Sequence, residues 1–407
     1  MSRWARAIST GWVVRHDVPG PNVDEFAEPG EVIAALDGAP GDSLLAVQHP
    51  HRTPLARAEG LSLLAALPAA RQALDRLRVS AYRQVDDVVA PYRVAGPDGV
   101  AVGVLCLVDA AAVDGEGLSR VRHSEEVYPR VVAERAAVLA GLGCATSAAM
   151  LVPVTAGDRL TAAVLRVIDA LGPPSVSTTD SGGRTHELWL LGPGVEQDQL
   201  LADVQRGPLL VADGNHRVAA AASSTPATLL ALVTAGPELR VGAINRALVN
   251  TGLTLADLAA AWRGKGLLVK ETDDPVTPSK PGTVVVRAGA AGLVVELPAP
   301  AAGEAVPRID HGLVERLLIA EALGIDPEGP LARALPAGHP AGARVDALMQ
   351  FAPVPFADVL AVHEQGRRMS RKSTYFTPKP RSGLLLADLT PASIGSLSCG
   401  EAPADGQ

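Results

Sequence analysis

The chain has 407 residues, room for roughly two to four domains at about 150 residues each. Its hydrophobic share of 47% and charged share of 20% are ordinary for a soluble globular protein, and with aromatics at 3% the core must be mostly Ala, Val and Leu. A net charge of −8 argues against a general nucleic-acid or anionic-membrane surface while leaving a local basic site open. Three cysteines (Cys106, Cys144, Cys399), odd in number and far apart, suggest neither a disulfide framework nor a zinc site. The first residues carry basic side chains but no sustained apolar core of a signal peptide, and no uncharged apolar run approaches the ~20 residues that cross a bilayer. The expected location is cytoplasmic, without nucleic acid or membrane as partner and with the oligomeric state open.

In chain order, residues 31–80 alternate helix-like segments with Pro/Gly breaks. Residues 43–47 read as a buried strand and 56–78 as a helix interrupted at Pro68. The Val- and Leu-rich run 100–108 reads as a strand. Beyond a Gly-rich turn at Asp114, residues 125–142 read as a helix, with Pro129 tolerated near its start. A strand over 148–154, an amphipathic helix over 158–171, a strand over 185–191 and a helix over 195–205 lead to an apolar run at Leu209. After a strand over 227–235 the pattern becomes α+β. A helix over 254–263 starts at a Thr cap, and Val269, 283–288 and 292–297 read as strands of a small antiparallel sheet. Residues 310–323 read as a surface helix with Asp310 at its start and Gly324 at its end. The Pro/Ala/Gly-rich stretch 326–342 reads as a linker or loop, 383–387 as a final strand, and the tail beyond Leu389 as disordered.

The densest chemistry lies at Asp213-Gly214-Asn215-His216-Arg217, where an apolar strand hands over to a helix-prone Ala run. Free N–H groups and the positive end of the helix dipole make such a place an anion site. Asp213 can hold a metal or take a proton, His216 can shuttle one, and Arg217 can clamp a phosphate or carboxylate through two parallel bonds. The plainer reading is an Asp-Gly turn with a capped helix; the crowding of four polar side chains between two apolar segments favours a site.

A second cluster, Ser370-Arg371-Lys372-Ser373-Thr374 through Pro378-Lys379, holds two of the chain's five lysines. From Gly366 to Ser373 it comes within one residue of a phosphate-binding Gly-x-x-x-x-Gly-Lys-Ser loop. Arg371 stands at the second glycine position and no strand–loop–helix context surrounds it, so that loop is rejected, although the residue types suit phosphate. The two clusters read as halves of one site. Arg122-His123-Ser124-Glu125-Glu126 offers a carboxylate that is either a general base or ordinary N-terminal helix chemistry. His49, His51 with Arg52, and His186 are further polar residues near strand ends.

Together these segments resemble the domain of unknown function 1015 family of bacterial and archaeal proteins, from about residue 40 to Ala387. The family's Asp-Gly-His-His-Arg signature matches residues 213–217 with Asn215 in place of the first His, and its Pro-x-Lys-Ser-Thr-x-Phe-x-Pro-Lys signature matches 370–379 with Ser370 in place of Pro. Its His-Glu motif corresponds to His123, with the acid displaced to Glu125 or Glu126. The Asp-Gly-x-x-Arg turn is similar to that of free-serine kinases in the ParB/sulfiredoxin-like superfamily. The resemblance implies an α/β (α+β) fold: a ParB/sulfiredoxin-like core within residues 1–238 and a second mixed α+β lobe over 239–388, ahead of the tail 389–407.

The implied activity is a nucleotide-dependent small-molecule kinase that phosphorylates free L-serine or a similar hydroxyl, fed by ATP or ADP with Mg²⁺. The expected roles follow from phosphoryl transfer, which needs positioning and charge neutralisation. Asp213 would ligate or support the metal, and Gly214, Asn215, Arg217, Lys372, Ser373, Thr374 and Lys379 would hold nucleotide phosphates. Glu125 or Glu126 would accept the hydroxyl proton, His216 would orient phosphate or acceptor, and His123 and His186 would face the substrate. A ParB-like nucleotide-binding regulator without turnover is the alternative. Sulfiredoxin-like redox repair ranks last, because no cysteine adjoins Asp213 in sequence.

Overall fold

The computed structural model describes residues 3–23, 27–39, 41–236, 239–339 and 344–390. The protein is mixed α/β, and its described residues build four sheets. The largest has nine strands, running Val121–Arg122, Leu209–Asp213, Ala149–Pro153, Thr228–Ala235, Gly99–Asp109, Ala90–Gly96, Thr185–Leu188 and Val176–Thr179, with Ala5–Arg6 also paired to Gly99–Asp109. Strict alternation gives this sheet two apolar faces. Ala101, Leu105, Leu107, Leu230 and Leu232 point one way, into a core shared with a four-stranded sheet and the helix Leu63–Ser80. Val102, Val104, Cys106, Val108, Ala231 and Val233 point the other way, under the helices Gly157–Leu171, Val195–Val204 and Asn215–Ala222.

The four-stranded sheet is ordered Tyr82–Val88, Ile8–Val14, Leu385–Asp388, Cys144–Ala145, so a strand near the start of the chain pairs with its last described strand. A six-stranded antiparallel sheet, Ile244–Val249 among its strands, has its own core. There Trp262 is fully buried and donates its indole N–H to the Leu318 carbonyl at 3.0 Å. A short ribbon, Arg240–Gly242 with Tyr375–Thr377, completes the sheets.

Four expectations are corrected. Residues 43–47 form no strand: Ser43 accepts the Ala46 N–H at 3.1 Å and caps a short helix, Leu44–Gln48. Pro68 does not interrupt Leu63–Ser80, because it sits on the exposed face, where the carbonyl left without a donor can meet water. The stretch read as a linker contains the strand Ala332–Pro336, paired with Ile244–Val249. The helix opening at Asp310 is no surface element. Asp310 and His311 are buried, and the His311 ring stacks on Phe351 at 4.3 Å between centroids and hydrogen-bonds the Ile244 carbonyl at 2.8 Å. The tail expected from 389 lies outside the described residues from 391 onward.

Candidate functional site

The apolar strand Leu209–Asp213 ends in Gly214, whose φ of 91° turns the chain into the helix Asn215–Ala222. Glycine is required twice over. Its φ lies in the left-handed region, and an added Cβ would stand 2.8 Å from Arg217 Nε, because the guanidinium folds back over the turn. Val218 is the first helix residue whose N–H reaches back to the turn, to the Gly214 carbonyl. The N–H groups of Asn215, His216 and Arg217 meet no acceptor among the described residues. Three donors and the helix dipole therefore face the space before the helix.

Charge collects around that space. One Asp213 oxygen accepts Lys379 Nζ at 2.7 Å and the other pairs with Arg217, which also donates to Ser147 Oγ at 3.1 Å and the Ala148 carbonyl at 2.6 Å. Burial pushes the Asp213 carboxyl up, but Lys379 and Arg217 outweigh it and hold the group far below the usual carboxylate range. The structure thus brings the two sequence-distant clusters into contact at Asp213.

Lys372 enters the same space from a loop held on both sides. Glu125 lies in no helix: the helix begins at Pro129, and Glu125 forms an isolated parallel bridge with Met369. Its buried carboxylate accepts the N–H groups of Lys372 (2.9 Å), Ser373 (3.0 Å) and Thr374 (2.9 Å) and the Thr374 hydroxyl (2.8 Å). Both oxygens of Glu125, one of the two residues expected as the base, are therefore engaged. From the six-stranded sheet, Arg246 (3% exposed) donates to the carbonyls of Lys372 at 3.1 Å and Arg371 at 3.0 Å and is fixed by Glu315 at 2.7 Å. Between these grips Lys372 holds a φ of 54°, a conformation that a non-glycine residue adopts only when its surroundings impose it. Ser373 bonds inward to Ser370, and Glu126 lies outside, 4.0 Å from Arg371.

The histidines divide. His216 stacks on Tyr128, and its Nε2 accepts the Tyr128 N–H at 3.0 Å. Burial, then Lys372, Arg135 and Arg371, push its pKa down to about 4. His123 meets Asn215 Oδ1 at 3.1 Å through Nδ1 and is held below the ordinary imidazole value by burial and Arg368, against the Asn215 bond. His186 lies elsewhere, buried between the Tyr92 hydroxyl (2.7 Å) and Asp180 (3.1 Å) on the Thr185–Leu188 strand. His49 is pushed down to about 4 by burial and by Arg52 and Arg135.

Sequence reasoning missed Arg246 and Arg135, and took Ser124 for ordinary helix-start chemistry, whereas its hydroxyl donates to the Val211 carbonyl and accepts from Asn215. Arg246 left a signal, an arginine inside the otherwise apolar strand Ile244–Val249. Arg135 left none. A separate cavity of about 290 Å³ at the start of the Gly157–Leu171 helix is walled by Val152, Val241, Phe356 and Phe376 and includes none of the charged residues of the turn.

Asp213 fits a protein-ligated cation poorly, since each oxygen already serves a cationic side chain, and among the described residues no three His, Cys, Asp or Glu side chains converge. The protein is thus mixed α/β, with unaccepted N–H groups and cationic side chains gathered at a strand-to-helix junction. The family described as "Protein of unknown function (DUF1015)" matches residues 70–291, more than half of the chain, and the protein belongs to that family.

No curated protein matches the chain. Among solved structures, it is similar to SbnI with a C-terminal truncation from Staphylococcus aureus: 12% identity, TM-score 0.41, covering 70% of this chain and 87% of that one. It is also similar to a mutant free serine kinase in complex with ADP (11%, 0.39, 66% and 89%) and to a conserved hypothetical protein from Pyrococcus furiosus (11%, 0.38, 65% and 90%). At such identities and TM-scores, what those chains bind says nothing of this one. Among the described residues no helix is long and apolar enough to cross a membrane.

Proposed function

We propose that the protein is a nucleotide-dependent phosphotransferase acting on the hydroxyl of a small metabolite, with free L-serine the first acceptor to test. The observation that carries this reading is the convergence of three unaccepted helix N–H groups with Arg217, Lys372 and Lys379 at one turn. Such a cradle neutralises phosphate oxygens, which is most of what phosphoryl transfer asks of a protein. Asp213 holds Arg217 and Lys379 in place. Mg²⁺ belongs to this reading as the companion of the nucleotide's phosphates rather than as a ligand of Asp213. Serine as the acceptor follows from the resemblance of the Asp-Gly-x-x-Arg turn to free-serine kinases.

Thermal melts with ATP, ADP or CTP and Mg²⁺ test the cradle on wild type and Arg217→Ala. Ligand at a hundred times Kd stabilises by about 2.7 kcal/mol. A shift in the wild type that Arg217→Ala loses supports the reading; no shift with any nucleotide refutes it. The engagement of Glu125 in the loop favours a second reading, a nucleotide-bound regulator without turnover. Phosphoserine formed from saturating nucleotide and serine decides against that regulator, and binding with no phosphorylated product decides for it.

A further inference from the structure

We propose that His123, through Nε2, is the general base that takes the acceptor's hydroxyl proton, an assignment that rests on the phosphotransfer reading above. The argument is one of proton order. The Ser124 hydroxyl donates to the Val211 carbonyl at 2.7 Å. A hydroxyl has a single proton, so toward Asn215 it can only accept, and Asn215 Nδ2 donates to it at 3.3 Å. That bond fixes which way the Asn215 amide faces. Its Oδ1 is then turned to His123 Nδ1, 3.1 Å away, and an amide oxygen can only accept. His123 must therefore carry its proton on Nδ1, which leaves Nε2 as a lone pair.

Nε2 meets no partner among the described residues, and it is not among the atoms closed off from solvent. The ring is one hydrogen bond from Asn215, whose N–H opens the phosphate-facing helix. The charged and titratable groups around it are Arg368 on the segment leading to the Lys372 loop, His216 on the Asn215–Ala222 helix, and the neighbouring Arg122, which contacts His363. Burial and Arg368 keep the imidazole neutral near pH 7. His216 has the same proton order but its lone pair is taken: the Tyr128 N–H donates to Nε2, so Nδ1 bears the proton and the ring has no acceptor left for a substrate proton.

In the transfer, the acceptor oxygen bonds to the terminal phosphorus while its proton passes to His123 Nε2. The bond from that phosphorus to the bridging oxygen breaks, and its electron pair leaves with the shortened nucleotide. The imidazolium then returns the proton to water. The side chains of Ser124 and Asn215 are positioning groups, since they act through the ring.

The test uses the full chain with Mg²⁺-ATP or Mg²⁺-ADP and L-serine. His123→Ala should keep the nucleotide-induced melting shift and lose about 10²–10⁴-fold in kcat. It should also lose the acid limb of the kcat profile and regain part of its rate with added imidazole. A His123→Ala enzyme within threefold of wild type, or one slowed with its acid limb intact and no imidazole rescue, overturns the assignment. Independently of turnover, ¹⁵N shifts of the ligand-free protein should show Nδ1–H at His123; an Nε2–H tautomer overturns it whatever the activity. A wild type with the Nδ1–H tautomer that binds nucleotide but makes no product with either nucleotide overturns the base role through failure of the phosphotransfer reading, and leaves the proton order standing.

Discussion

Replacing Glu125 by Ala strips four donors of one acceptor: the N–H groups of Lys372, Ser373 and Thr374 and the Thr374 hydroxyl. Ser373 is 0% and Thr374 8% exposed, so water cannot freely replace the carboxylate at those two residues. A buried donor left unsatisfied costs about 1–3 kcal/mol, which for the Ser373 and Thr374 amides together makes about 2–6 kcal/mol. Glu125→Gln separates charge from geometry. An amide oxygen at the Oε1 position still serves Ser373 and Thr374, while the NH₂ group is turned against the Lys372 N–H, at a cost of about 1–3 kcal/mol. Urea unfolding followed by tryptophan fluorescence should rank the midpoints wild type, then Glu125→Gln, then Glu125→Ala. An alanine variant that unfolds with the wild type, or a glutamine variant weaker than the alanine one, refutes the claim that this carboxylate holds the loop.

Gly214→Ala should cost about 1–3 kcal/mol in thermal melts, because φ is 91° and the new methyl would displace the Arg217 guanidinium, and it should abolish the nucleotide shift. Arg246→Met leaves Glu315 and two loop carbonyls without their cation; a loss of about 3–5 kcal/mol is expected in urea, and a midpoint equal to wild type would show that the arginine is dispensable. His49 and His216 have pKa values near 4 in the folded chain, against 6.5 ordinarily, so the unfolded chain binds more protons below that value. Their contribution to stability is whole above pH 6.5 and is lost as pH falls toward 4. Urea midpoints at pH 7, 6 and 5 should therefore decline, and His49→Gln should decline less; equal slopes would place His49 outside the buried cluster.

Periodicity and caps made much of the fold legible. The strands Gly99–Asp109 and Thr228–Ala235 are long apolar runs, and Thr254 announces its helix with a capping box closed by Asp257. Residues 43–47 misled because five apolar-rich residues suit a buried strand and a short helix equally, and the deciding bond, from Ser43, is a cap rather than a pattern. Ala332–Pro336 was hidden by a composition of turn residues; it is a strand because an open edge of the six-stranded sheet accepts it. At the site, residue types named the Asp213 turn and the Lys372 loop. Partnership could not be read: that Glu125 serves three amides and that Asn215 orients His123 depends on hydrogen bonds spanning 92 to 249 positions of the chain.

Those separations give the cradle a date of completion. Thr374 is made 249 residues after the glutamate that holds its backbone. At about 5–20 residues per second of synthesis, that delay is roughly 12–50 s. From Arg217 until Lys372 is made, the growing chain has Glu125, Asp213 and Arg217 but neither Lys372 nor Lys379, so a nascent chain lacks half of the proposed nucleotide cradle. The Asp213–Lys379 contact arrives only with the segment that also closes the sheet begun by Ile8–Val14, so assembly of the proposed site and completion of the fold coincide.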